Sequence, residues 1–395
     1  MDILEQTYLH EEEALNFLRD LLKIDSVSGN ETEISNYIKN FLKKNGFKLI
    51  ESKVGNAIGI KGNGKPVLLL AGHMDTVPTD NPFREDKNNL YATGAVDSKS
   101  PLASILYSAA KYPSDNLNFT LIVAGMVHEE DDLIGLNEML SMKELCPDYA
   151  IFAEPTHNHR ICLGYRGQVW VKIKAKTKAG HSAQVWGFDN LIEIIVTGIK
   201  DRIQSFIDIM NSEYNNLKGH YNEMSIALTK LHAGEIGNVL PESCEAILDI
   251  RIPTWIDSKS VVKKVKAVID IVKSELVNPN TKIDYEFMCV IDACNVPSRC
   301  ALVNALRWSA HKITKKKVPM LFKTGTTFTN HFQAHYKDIK PHFQCITFGP
   351  GDAKLDHTND EYIEKKEYLD TVKIYQLFFK KFKDLYELED KCTDH

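Results

Sequence analysis

At 395 residues the chain is long for a single hydrophobic core, so two domains are expected. It is 43% hydrophobic and 26% charged, as globular proteins are, and its net charge of −5 and isoelectric point near 6.3 give no reason to expect nucleic acid or an acidic membrane as partner. No apolar run approaches the ~20 residues that cross a bilayer, and the acidic start MDILEQTYLHEEE lacks the basic and apolar regions of a signal peptide. The eight cysteines include no C-x-x-C pair, and Cys289, Cys294 and Cys300 match no common zinc module. A cytoplasmic protein without disulfides is the expectation.

In chain order, Leu15, Leu18 and Leu22, then Ile34, Ile38, Phe41 and Leu42, recur at helical spacing, the second set closing at Gly46. Residues 67–71 come next as a short continuous apolar run, the pattern of a parallel strand buried on both faces. SKSPLASILYSAAKY predicts a helix with Ser98 or Ser100 as its cap and Pro101 in its first turn. Residues 119–125 and 149–153 are further buried-strand runs, and 344–348 is a fourth. That alternation predicts an α/β domain, doubly wound around a mostly parallel sheet.

The middle of the chain reads differently. QVWVKIKAK at 168–176 alternates apolar residues with lysine, as a half-exposed strand does. A helix around 189–213 and strands at 224–232 and 243–252 come next. SKSVVKKVKAVIDIVKSEL then places Val261, Val265, Val268, Val272 and Leu276 on one helix face, ahead of a strand near 282–288. The order β-α-β-β-α-β is ferredoxin-like. Residues 167–289 therefore read as an inserted lid or dimerisation domain, and 1–166 with 290–395 as a discontinuous catalytic domain. Lys315 to Lys317 read as a solvated charge run.

Ligands of open α/β sheets bind beyond the carboxyl ends of the strands. Each buried run is followed there by residues that bind metals: His73 and Asp75 after the first, His128, Glu129 and Glu130 after the second, Glu154 after the third, and GPGDAKLDH, ending at His357, after the fourth. Asp97 stands just ahead of the 98–112 helix. Mixed imidazole and carboxylate donors favour zinc or a similar ion over calcium, and the inventory exceeds what one tetrahedral ion needs. Two ions sharing a carboxylate fit it better. Adjacent side chains of an extended segment point opposite ways, so one of Glu129 and Glu130 can bind metal while the other handles protons. Asp75 is placed to take the second N–H of His73.

A single histidine or aspartate at a strand end serves a turn or cap about four times for each time it binds metal. His157, His159, His331 and His335 are read that way. HFQAH lacks the glutamate of a zincin helix, GNGKP lacks the phosphate-loop spacing, and no G-x-S-x-G elbow occurs.

Taken together, GHMDTVP, GAVDSKSPLA, HEEDDLIG, AEPT, GHSA and NVLPESCEAILDIR resemble the di-zinc amidohydrolases that include acetylornithine deacetylase, succinyl-diaminopimelate desuccinylase and related carboxypeptidases. The matches run in family order from residue 73 to 357. The resemblance implies a zinc-binding catalytic domain and a ferredoxin-like lid through which such enzymes form homodimers. It implies that His73, Asp97 and Glu154 bind one ion, that Asp97 bridges to a second held by Glu130 and His357, that Glu129 is the general acid/base and that Asp75 orients His73. Cobalt or manganese could replace zinc. His181 resembles a lid histidine that stabilises the oxyanion in a neighbouring subunit's site. Asn238 and Arg251 resemble substrate-contacting lid residues, and Gly325 a pocket-lining glycine. Two departures stand out: His128 where the family commonly has Asp, and Ser100 where it has Gly.

GAVDSKSPLA, GYRG, KTGTT and FGPGDAKLDHTNDE look most like the archaeal hydrolases that release lysine or ornithine from a small amino-group carrier protein in lysine and arginine biosynthesis. The implied reaction is metal-assisted hydrolysis of the amide between the amino acid's α-amine and the side-chain carboxyl of the carrier's terminal glutamate. The alternative within the same chemistry is a deacylase of free N-acyl amino acids (acetylornithine, acetyl-lysine, succinyl-diaminopimelate) or a di- or carboxypeptidase. A non-catalytic binding protein predicts damaged ligand positions, and all of them are intact. A nucleotide-dependent enzyme would need a phosphate-binding glycine motif that the chain lacks.

Overall fold

The computed structural model of the chain describes residues 8–214 and 219–393. They form two compact units. One comprises Met1–Leu163, Val296–Leu321 and His335–His395, the other Gly164–Asn295 and Phe322–Ala334. The segment Phe322–Ala334 thus joins the second unit although it lies outside the 167–289 span expected from sequence.

In the first unit the sheet runs in the order Lys48–Ile50, Ala57–Lys61, Thr120–Met126, Val67–His73, Tyr149–Phe152, Gln344–Thr347, Ile161–Tyr165. Its four central strands, from Thr120–Met126 to Gln344–Thr347, are mutually parallel, and the flanking pairs are antiparallel. Leu68, Leu69 and Leu70 are all buried, so this strand is covered on both faces, as its unbroken apolar run predicts. Each such side chain stabilises the fold by ~1.5–3 kcal/mol through the apolar surface it removes from water. Helices Glu11–Lys23 and Thr32–Lys44 contribute Leu15, Leu18, Leu22, Ile34, Ile38 and Leu42 to the same core. Gly46 lies just past the second helix with φ +81°, the left-handed backbone that glycine adopts most readily.

Helix Lys99–Lys111 forms where expected, with Ser98 at its N-cap, but neither serine caps it through its side chain. The Ser98 hydroxyl donates to the Ala153 carbonyl (3.0 Å) and the Ser100 hydroxyl to the Ala95 carbonyl (2.5 Å). Both are buried, and a strand-end carbonyl 55 residues away for Ser98 and the preceding loop's carbonyl for Ser100 win over the helix terminus. A separate three-stranded sheet joins Arg84–Glu85, Asn89–Tyr91 and Tyr362–Glu364. The C-terminal helix Lys365–Thr393 buries Tyr368, Val372, Tyr375, Phe378, Phe379 and Phe382.

In the second unit four antiparallel strands lie in the order Ser225–Ala233, Ser243–Ile252, Gly167–Lys176, Lys282–Ile291. With helical segments at 191–213 and Ser258–Ser274 between them, the connectivity is β-α-β-β-α-β. The first segment is α-helical at Leu191–Glu193 and Asp201–Glu213 with a π-helical stretch, Ile194–Lys200, between. Asp257 caps the second helix by accepting the Ser260 N–H at 2.8 Å. Val169, Val171 and Ile173 face Val261, Val265, Val268 and Val272 in one core, while the intervening lysines stay at the surface. Among the described residues, no helix is long and apolar enough to cross a membrane.

Candidate metal centre and active site

The parallel register aligns the strand ends. His73 pairs with Met126, Ala71 with Phe152, and Phe152 with Thr347, so the segments leaving the carboxyl ends of these strands emerge at one rim of the first unit. Asp97 is at the centre of the polar groups that gather there. Its Oδ1 lies 3.1 Å from His73 Nε2 and its Oδ2 lies 3.1 Å from His357 Nε2. His357 Nε2 is also 2.8 Å from Glu130 Oε1. Donor atoms of His73, Asp97 and Glu154 lie within 4.8 Å of one another, as do those of Asp97, Glu130 and His357, and those of His73, Glu129 and Glu130. Apart from the adjacent Glu129 and Glu130, these six residues come from separate stretches of chain, and the fold brings them together.

The pairing of Glu129 with Glu130 differs from the sequence expectation in its cause. These residues lie in turns, with His128 at φ 56°, so strand alternation does not set their directions. Asp75 sets them instead. Its buried carboxylate accepts the backbone N–H of Glu129 on Oδ1 (3.0 Å), and on Oδ2 that of Glu130 (3.0 Å) and the hydroxyl of Ser28 (2.7 Å). His73 Nδ1 lies 2.9 Å from the backbone carbonyl of Asp75 and 3.5 Å from its carboxylate. The N–H of His73 is thus taken mainly by main chain, which leaves Nε2 to face Asp97. Nothing in the sequence singles out Ser28; it lies in a loop with no periodic pattern, and only its tertiary contact reveals it.

Electrostatics separates the two glutamates from the aspartates. Burial pushes the Glu129 carboxyl up to about 7; His73 opposes this, and the charges of Glu130, Asp97 and Asp75 reinforce it. Glu130 is also raised, again chiefly by burial. Burial acts against ionisation of Asp97 too, but hydrogen bonds to His357 and His73 outweigh it and hold that carboxyl below the usual range. His357 is drawn up to about 9, first by its hydrogen bond to Asp97. Several acids packed at one rim around two imidazoles repel one another, and divalent cations relieve that repulsion.

The donor set fits a pair of such cations. His73, Asp97 and Glu154 would hold one, and Asp97, Glu130 and His357 the other, with Asp97 offering one oxygen to each side. His128 belongs to a different group, with exposed Asp131 and Asp132 on its own turn. His157 contacts Asp352 and Glu367, and His159, His331 and His335 join none of the metal-type groups among the described residues.

The profile of the peptidase family M20/M25/M40 matches residues 69–381, most of the chain and every residue of this rim. The chain belongs to that family. It is a metal-dependent amide hydrolase, and the M20 family binds two metal ions. A Saccharolobus islandicus relative named LysW-lysine/LysW-ornithine hydrolase is 29% identical over 374 residues, 94% of this chain and 97% of its own. A Pyrococcus furiosus relative carrying the same name provisionally is 30% identical over 364 residues, 92% of this chain and 95% of its own. Among solved structures, a Bacillus subtilis protein described as a dinuclear metal-binding peptidase of the M20 family superposes with a TM-score of 0.69. It is 14% identical, covering 95% of this chain and 98% of that one.

The other residues singled out in the sequence, His181, Asn238, Arg251 and Gly325, lie in the second unit. Gly180–His181 pairs with Val239–Leu240, and the Ser182 N–H donates to the Asn238 carbonyl at 3.0 Å, so His181 and Asn238 are neighbours. His181 Nδ1 accepts the Ala183 N–H at 3.1 Å, which puts the neutral ring's proton on Nε2 as an outward donor. Arg251 is forked onto Asp249, with Nε and Nη2 at 3.1 and 2.9 Å from Oδ2, and its Nη1 donates to Thr326 Oγ1 at 3.0 Å. Gly325, exposed and adjacent to Thr326, has open space where a Cβ would stand.

Proposed function

We propose that this M20 enzyme releases lysine or ornithine from the side-chain carboxyl of a carrier protein's terminal glutamate. Support comes from relatives named LysW-lysine/LysW-ornithine hydrolase that align over more than nine-tenths of the chain, and from the segments GYRG, KTGTT and FGPGDAKLDHTNDE. The observation that carries the reaction type is Asp97, whose two oxygens each face a different histidine of the rim.

Two divalent ions, zinc by preference and cobalt or manganese as alternatives, would lower the pKa of water towards ~7 and polarise the scissile carbonyl when bound. His73, Asp97, Glu130, Glu154 and His357 would hold them. Glu129 accepts the proton of the attacking water on its carboxylate and passes it to the departing α-amine. Its burial beside the proposed ligands places a carboxylate at the rim where the proton must be taken up and handed on. Asp75 keeps the Glu129–Glu130 turn in place through the two backbone N–H groups it binds. By the resemblance, the Nε2–H of His181 serves the oxyanion, and Asn238, Arg251 and Gly325 contact the substrate. The partner is then a small carrier protein, and the active form a homodimer made through the second unit.

Glu129→Gln tests the chemistry: the variant is expected to bind metal as the parent does and to lose turnover by ~10²–10⁴-fold. Near-parental turnover would remove Glu129 from its role. Carrier-linked lysine, acetylornithine, acetyl-lysine and succinyl-diaminopimelate assayed side by side test the substrate. A free N-acyl amino acid hydrolysed fastest would overturn the carrier reading and leave the deacylase.

A further inference from the structure

The Asp97 carboxylate can face two histidines only if the loop that carries it is held still. That loop, residues 94–97, is neither helix nor strand, and three of its backbone N–H groups point at one side chain outside it. Glu361, only 2% exposed, accepts the N–H of Gly94 on Oε2 (2.9 Å) and those of Val96 and Asp97 on Oε1 (both 2.6 Å). Buried N–H groups without acceptors destabilise a fold, so a carboxylate meeting three at once largely determines this loop's path.

Glu361 is itself fixed from behind. Its carbonyl accepts the Asn81 side-chain N–H at 2.9 Å, and the next residue opens the Tyr362–Glu364 strand, which pairs Tyr362 with Tyr91 and Ile363 with Leu90. Four residues upstream on the same segment is His357, whose Nε2 faces the other oxygen of Asp97. One segment therefore supplies an imidazole for the centre at one end and a clamp for the Asp97 loop at the other.

We infer that Glu361 is a positioning residue of the metal centre: by gripping the 94–97 backbone it keeps the Asp97 carboxylate between His73 and His357. This rests on the reading of Asp97 as the shared ligand. Glutamine at 361 has the same shape but offers one oxygen and one N–H donor. Whichever way the amide turns, at least one loop N–H meets a donor instead of an acceptor, and the loop loses its fixed path.

The test is titration of the chelator-stripped full-length protein with cobalt(II), following affinity by calorimetry and donor geometry by visible absorption. Glu361→Gln is expected to weaken at least one of the two ions by ~10–100-fold and to change the cobalt spectrum. Its kcat should fall with little change in KM. Two ions bound with parental affinity and spectrum would overturn the proposal, even if the variant melted earlier, because that is what a purely structural role predicts. Should Glu361→Gln fail to fold, Glu361→Asp, which draws the carboxylate back by one methylene, is read by the same criteria. Asp97→Asn separates the two levels of inference. If it loses an ion while the Glu361 variants keep both, the positioning role falls and the metal assignment stands. If Asp97→Asn also keeps both ions, the assignment of Asp97 itself fails and takes the proposal with it.

Discussion

Replacing Asp75 with asparagine perturbs one side chain that holds two functional glutamates while changing none of the proposed metal-ligand side chains themselves. The parent carboxylate accepts two backbone N–H groups and a serine hydroxyl with no water contact. Asparagine has one acceptor oxygen, so in either orientation its N–H faces the backbone N–H of Glu129 or of Glu130. Losing one hydrogen bond to a buried charge costs about 1.5–3 kcal/mol. Burial opposes ionisation of Asp75, yet His73 first, then the Glu130 N–H and Ser28, bring its carboxyl from 3.8 down to about 2, so the fold is stabilised by keeping it ionised. Because the folded pKa lies below the unfolded one, this contribution is complete above pH ~4 and is lost as pH falls through about 2. Urea unfolding of chelator-treated parent and Asp75→Asn should therefore differ by ~2–3 kcal/mol at pH 7, with the gap narrowing below pH 4. Turnover should drop by ~10–100-fold, because the Glu129–Glu130 turn is no longer held. A difference under ~0.5 kcal/mol with parental turnover would show that Asp75 does not anchor that turn.

Removing metal should lower the melting temperature, since ions that bind only the folded chain add ~2.7 kcal/mol at a hundredfold excess over Kd. For a chain of 395 residues that is a shift of about 3 °C by scanning calorimetry, and an unchanged midpoint on adding zinc or cobalt would count against the centre. Lys61 offers a pH test remote from the rim. Its buried amine donates to the carbonyls of Ala109, Ala110 and Tyr112, and burial, with Lys111, brings its pKa down to about 8. Folding then favours the neutral amine. Relative to Lys61→Met, the parent should gain stability as pH rises from 8 to 10.5, measured by urea unfolding. A flat difference across that window would refute the assignment.

Much of this molecule was legible in the order of its residues. Continuous apolar runs such as VLLLA favour strands buried on both faces, and period-two lysines at 168–176 favour a half-exposed one, as both segments prove to be. Such patterns are local, because the periodicity of the chain must match the periodicity of what it packs against. The ligand types were legible too, since in a parallel sheet every strand's end faces the same rim. Three further facts needed the tertiary structure. Ser98 spends its hydroxyl on the Ala153 carbonyl, 55 residues away, and not on the helix it precedes. Asp75 holds Glu129 and Glu130 by their backbones, 54 and 55 residues away. Glu361 grips a loop more than 260 residues upstream. The physical reason is the same in each case. A side chain's chemistry is written in its type, but which buried N–H or carbonyl will need it is decided only when the backbone has closed around both.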